Sequence, residues 1–104
     1  MPAVARIGDS VLPGCGHTST IVSGSGTTNA DGIPVARIGD SVAGPYNATI
    51  TSGSGTTNAD GIPVARIGDS TFGVCPLDHS GAKGIQIFVG SGTIISGSGT
   101  TNAD

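Results

Sequence analysis

The chain has 104 residues, 19 of them glycine, and a formal net charge of −3. Glutamate and tryptophan are absent and leucine occurs only twice, whereas Ile, Val and Thr are plentiful, which excludes a helical bundle. With 11% charged and 36% hydrophobic residues, the composition is also the reverse of a disordered chain.

The length allows one small domain, 1–104, whose single core would be marginal without added support. Arg6, Arg37, Arg66 and Lys83 are scattered, and only Tyr46, Phe72 and Phe88 could stack on bases, so nucleic acid is not an expected partner. No apolar run approaches the roughly 20 residues needed to cross a bilayer, and no charged-then-apolar leader opens the chain. The expectation is synthesis in the cytoplasm without a signal peptide and without stable membrane insertion. Two cysteines are too few for a disulfide scaffold.

In chain order, the first element is Val-Ala-Arg-Ile-Gly-Asp at 4–9, and the same six residues return at 35–40 and 64–69. A variable loop follows each copy. Then comes an apolar segment led by Ile21, Ile50 or Ile94, running into Ser-Gly-Ser-Gly-Thr-Thr-Asn-Ala-Asp at 23–31, 52–60 and 96–104. The repeats are approximately 4–34, 35–63 and 64–104, about 29 residues each before insertions, with an insertion near 74–90 in the third. Period-two alternation points Ile21, Ile50 and Ile94 to a shared axis and Val22, Thr51 and Ile95 to solvent, and the same logic points Ile7, Ile38 and Ile67 inward. Asn-Ala-Asp-Gly at 29–32 and 58–61 is turn chemistry rather than a calcium loop, whose other ligands are missing. Pro34 and Pro63 fit strand starts. The Ser-Gly-Ser-Gly stretches read as strands crowded near an axis, and the insert around Ile85–Val89 reads as an added strand.

The phase of the repeat favours a ring. The last unit stops at Asp104, where the pattern would continue Gly-Ile-Pro-Val-Ala-Arg, and the chain starts with Pro2-Ala3-Val4-Ala5-Arg6. An open array would need capping units and would leave a sheet edge exposed. The expected fold is therefore all-β and pseudo-threefold, closed by the N-terminal strand docking beside the C-terminal repeat.

Threefold closure would bring the variable loops to one end. Every Cys and His sits in loop one (Cys15, His17) or loop three (Cys75, His79), a donor set matching a structural tetrahedral zinc site. A Cys15–Cys75 disulfide and unrelated loop residues are the competing readings, and the segregation of all four residues favours metal, one ion per chain. Catalysis finds little support: Asp78, His79 and Ser80 are sequence neighbours and cannot form a relay, and no phosphate-binding glycine motif is present. No enzyme activity is expected. Arg6, Arg37 and Arg66 could bind an anion at the threefold axis, but the favoured expectation is ion pairs with aspartates of other units, because Arg and Asp three apart on a strand face opposite sides.

The sequence resembles the PAAR-repeat proteins, through Pro34-Val35-Ala36-Arg37, Pro63-Val64-Ala65-Arg66 and Ala3-Val4-Ala5-Arg6, each followed by Ile-Gly-Asp. The resemblance implies a conical β structure that sharpens the tip of a trimeric β-helical spike, in type VI secretion systems (VgrG-type proteins) or contractile phage tails. It implies one structural zinc near the vertex, iron being less suited, with Cys15, His17, Cys75 and His79 as ligands. The implied partner is a homotrimeric spike carrying one copy per trimer, with effector cargo as a further passenger, delivered outside the cell. The alternative is a small metal-dependent enzyme or ligand-binding domain.

Overall fold

Three copies of one tight turn organise the chain. The computed structural model describes residues 2–75 and 88–103. In each Arg-Ile-Gly-Asp the aspartate amide (Asp9, Asp40, Asp69) donates to the arginine carbonyl (Arg6, Arg37, Arg66) at 3.0 Å. The third turn residue is a glycine with φ of 95, 93 or 94° (Gly8, Gly39, Gly68). This is a type II turn, and glycine is required there because a side chain at that φ is strained.

The turn overturns the expected pairing of the arginines. Because Arg and Asp are brought together across it, Nε of Arg6, Arg37 and Arg66 lies 3.1, 2.9 and 2.8 Å from the carboxylate of its own Asp9, Asp40 or Asp69. Strand alternation does not apply to four residues that fold back on themselves. It also displaces Ile7, Ile38 and Ile67, which stand at the turn's second position rather than inside; Ile67 is 39% exposed.

Ten short strands follow: β1 (Ser10–Pro13), β2 (Ser19–Ile21), β3 (Asn29–Ala30), β4 (Ile33–Pro34), β5 (Ser41–Ala43), β6 (Asn47–Ile50), β7 (Asn58–Ala59), β8 (Ile62–Pro63), β9 (Ser70–Cys75) and β10 (Phe88–Ile94). Six of them close into an antiparallel barrel in the order β1-β10-β9-β6-β5-β2. Each unit contributes one hairpin to it. The remaining four form the small hairpins β3–β4 and β7–β8. Their two-residue turns have positive φ at both positions, Asp31 55° with Gly32 77° and Asp60 57° with Gly61 77°. That is the type I′ geometry that Asp-Gly favours. Pro34 and Pro63 end β4 and β8 rather than starting them.

The third small hairpin is assembled from the two ends of the chain. Ala3 bridges Asn102 as Pro34 pairs with Asn29 and Pro63 with Asn58. The Val4 amide donates to Thr101 at 2.9 Å, matching Val35 to Thr28 and Val64 to Thr57 at 3.0 Å. The fold is all-β, pseudo-threefold and closed by its N-terminal strand, as expected.

On the axis, Ala5, Ala36 and Ala65 form a ring in which each amide donates to the next carbonyl at 2.9 Å. All three are fully buried. Above them Ile21, Ile50 and Ile94 meet inside the barrel, while Val22 and Ile95 are 49% and 46% exposed and Thr51 is exposed, as alternation requires. Below them Val4, Val35 and Val64 pack with Ala30, Ala59 and Ala103 in a second cluster.

The Ser-Gly-Ser-Gly segments are not strands; they run alongside the arginine segments outside the ladders. Only the first glycine of each is compressed. A Cβ on Gly24, Gly53 or Gly97 would lie 2.6, 2.6 or 2.7 Å from a backbone oxygen of Val35, Val64 or Val4, whereas one on Gly26, Gly55 or Gly99 would meet nothing within 4 Å.

Aspartates and hydroxyls stitch the units together. Asp60 accepts hydrogen bonds from Ser25, Thr27 and Arg37, and Asp31 accepts from Ser98, Thr100 and Arg6. Nη2 of Arg6, Arg37 and Arg66 reaches the carbonyl of Gly97, Gly24 and Gly53 at 3.3, 3.3 and 3.2 Å in a neighbouring unit. Among the described residues, no buried side-chain nitrogen or oxygen lacks a partner.

Candidate metal centre

At the loop end of the barrel the three units diverge. In the third, β9 and β10 run six and seven residues, against three or four for β1, β2, β5 and β6. The described part of the insert therefore lengthens an existing hairpin, with Phe88 paired to Cys75 and Val89 to Val74, instead of adding a separate strand. Residues 76–87 lie outside the described region, and the expectations for Asp78, His79 and Ser80 fall there.

Period-two geometry aims Cys75 inward. Thr71, Gly73 and Cys75 share one face of β9, and Cys75 is completely buried at its end. In the first unit, β1 stops at Pro13 and a turn closes from the Gly16 amide to the Pro13 carbonyl at 3.0 Å. Gly16 holds φ at 83°, which turns the chain between Cys15 and His17. Ser19 Oγ then donates to the His17 carbonyl at 3.1 Å.

The result is a three-residue cluster. His17 Nδ1 lies 3.4 Å from Cys75 Sγ, and the ligand atoms of Cys15, His17 and Cys75 all fall within 4.8 Å of one another. Cys15 and Cys75 are not joined as a disulfide. Ligands on a tetrahedral zinc at thiolate and imidazole bond lengths stand roughly 3.5 Å apart, a separation that the His17 Nδ1–Cys75 Sγ pair already has. Two soft sulfurs and an imidazole also suit zinc better than the hard cations that prefer oxygen.

The second loop supplies a buried aromatic instead of a ligand. Tyr46 is fully buried and shares a core cluster with Cys75, against which Cys15 packs. Its hydroxyl donates to the Gly90 carbonyl at 2.8 Å and lies 3.1 Å from Thr71 Oγ1, while its amide donates to Ser19 Oγ at 2.9 Å. Burial pushes the phenol pKa up, the Thr71 hydrogen bond opposes this, and the nearby Cys15 adds to the rise. Sequence reading missed Tyr46 as a core residue. The aromatic count gave no signal for this, since Phe72, another of the three, is 55% exposed, and Tyr46 stands in a loop outside any period-two pattern.

A single chain folded as three like units around an axis, with a Cys/His cluster at one end, defines a closed pseudo-threefold β plug. The family model described as the PAAR motif matches residues 46–104, and the chain belongs to that family. No curated protein matches the chain. The family assignment gives a general spike-tip role related to type VI secretion and phage tails, a structural one in this family.

Proposed function

We propose that the chain is a metal-stabilised tip that caps a trimeric β-helical spike of the VgrG or phage-tail type, one copy per trimer. The observation that carries this is where the threefold symmetry is kept. At the small-hairpin end the three units repeat the same packing, Val4, Val35 and Val64 against Ala30, Ala59 and Ala103, with Ala3 standing where the other two have Pro34 and Pro63. At the loop end they differ in length and content. A symmetric trimer needs a symmetric face, so the hairpin end is the base and the Cys/His end is the vertex.

At the vertex, Cys15, His17 and Cys75 hold one zinc ion, with His79 as the fourth ligand. The ion supplies folding free energy to a domain whose axial core consists largely of Ala, Val and Ile. Such a locked vertex suits thrust through an envelope, and it leaves the outer walls for effector cargo.

Two measurements test the reading. Elemental analysis of purified protein should give about one zinc per chain, lost in a Cys15→Ser/His79→Ala variant. Mixing with the trimeric spike encoded by the same source should give a complex of one tip per three spike chains. A monomer that never associates with such a trimer would retire the capping reading.

A further inference from the structure

We infer that Cys15 and Cys75 form a thiol–disulfide couple, so that the vertex can be clipped either by a metal or by a covalent bond. Three observations carry this. The two sulfurs lie within 4.8 Å of each other and are not joined as a disulfide. They come from the first and third units, Cys15 in the turn after β1 and Cys75 at the end of β9, so a bond between them would close a loop of about 60 residues and tie two walls together. And the two differ in access and freedom. Cys75 is buried and fixed by strand pairing with Phe88, whereas Cys15 is half-buried, in a turn between Gly14 and Gly16. Cys15 is thus the sulfur that meets an oxidant and the one that moves.

The step balances with a disulfide oxidant such as glutathione disulfide. The Cys15 thiolate attacks one sulfur of the oxidant, forming a mixed disulfide and releasing one glutathione thiolate. The Cys75 thiolate then attacks Cys15 Sγ, forming the Cys15–Cys75 bond and releasing the second glutathione thiolate. Two electrons pass from the protein to the oxidant, and the released thiolates take up the protons. Disulfide sulfurs carry no charge for a cation, so a bound metal leaves as the bond forms. A tip made in a reducing cytoplasm and delivered outside the cell would exchange one clip for the other. This consequence rests on the proposed delivery, but the couple itself rests only on the geometry.

The full-length protein, with its metal content measured first, is treated under native conditions with glutathione disulfide, with and without a chelator. The expected result is loss of both thiols together, an intact mass lower by two hydrogens, and a Cys15–Cys75 crosslink in peptide mapping, with any metal released in step. In a Cys15→Ser variant, the remaining Cys75 should not take up glutathione while the protein is folded. Glutathione adducts on both cysteines without a crosslink, or a crosslink that forms only in denaturant, would overturn the inference. If the protein neither contains nor takes up zinc yet still crosslinks, the couple stands and the metal reading falls.

Discussion

The Ala103 amide donates to the carbonyl of Pro2 at 3.0 Å, joining the two ends of the chain at the place where Ala30 and Ala59 are followed by an Asp-Gly turn in the other units. The small hairpin built there is thus held by hydrogen bonds and by the packing of Val4 and Ala103, with no Asp-Gly turn joining its strands, and its loss would open the ring.

A circular permutant should therefore fold. Joining Asp104 to Pro2 through one glycine rebuilds the Asn-Ala-Asp-Gly turn, and new ends can be opened between Asp60 and Gly61. Its thermal unfolding should remain cooperative, with a midpoint near that of the parent. Removing residues 2–4 instead should abolish cooperative unfolding, since it deletes a buried valine and its hydrogen bonds to Thr101 and Ser98.

The two glycines of each Ser-Gly-Ser-Gly should respond differently to alanine. Gly53→Ala drives a Cβ to 2.6 Å from the Val64 carbonyl oxygen, a backbone atom that cannot swing away, and should cost about 1–3 kcal/mol. Gly55→Ala meets nothing within 4 Å and should change stability by no more than about 1 kcal/mol. Chemical denaturation of the two variants measures the contrast. Equal effects would show that crowding against the arginine segment is not what selects glycine.

Tyr46 and Thr71 should be energetically coupled. Tyr46→Phe leaves the Gly90 carbonyl and Thr71 Oγ1 without the phenol and should cost about 1–2 kcal/mol. Thr71 occupies the place that Val11 and Val42 hold in the other units. The double variant Tyr46→Phe/Thr71→Val should accordingly cost less than the sum of the two single changes in a double-mutant cycle.

Acid should open the seams. Hydrogen bonds from Ser98 and Thr100, then Arg6, hold the Asp31 pKa below its ordinary value, and Ser25, Thr27 and Arg37 do the same for Asp60. For Asp69, burial alone would raise the pKa, but hydrogen bonds from Arg66 and Ser52 together outweigh it and the pKa is lowered. Depressed folded-state values mean that the unfolded chain binds more protons, so this stability is present above the unfolded carboxylate pKa of about 3.9 and is lost as pH falls through the folded values. For these groups the unfolding midpoint should hold steady from neutrality to about pH 5 and drop below about pH 4. Asp60→Asn should flatten that drop while lowering stability at pH 7.

Repetition made the architecture legible before any coordinates. Three identical hexapeptides, a phase that wraps from Asp104 to Pro2 and an invariant isoleucine before each Ser-Gly stretch encode the closed threefold wall and its inward layer, because closure around a common axis buries identical segments alike and leaves no exposed sheet edge. Cys15, His17 and Cys75 were legible too, since closure brings equivalent loops to one end. The Arg6–Asp9 pair, the turn positions of Ile7, Ile38 and Ile67 and the loose second glycines were not. The first two depend on the backbone leaving the extended state at Gly8, Gly39 and Gly68, which period-two reading assumes it does not, and the third on the Ser-Gly segments running outside the ladders.

What the sequence determined by itself is the secondary-structure class, the count and equivalence of the units and the residues that share each layer, for these follow from local chemistry repeated three times. Only the tertiary structure decided where that equivalence ends. Thr71 in place of valine, Tyr46 buried inside the barrel and the lengthened β9–β10 hairpin that carries Cys75 acquire their roles from neighbours 13 to 44 positions away. The contacts of a buried side chain are set by what the folded chain places beside it, and no local pattern records them.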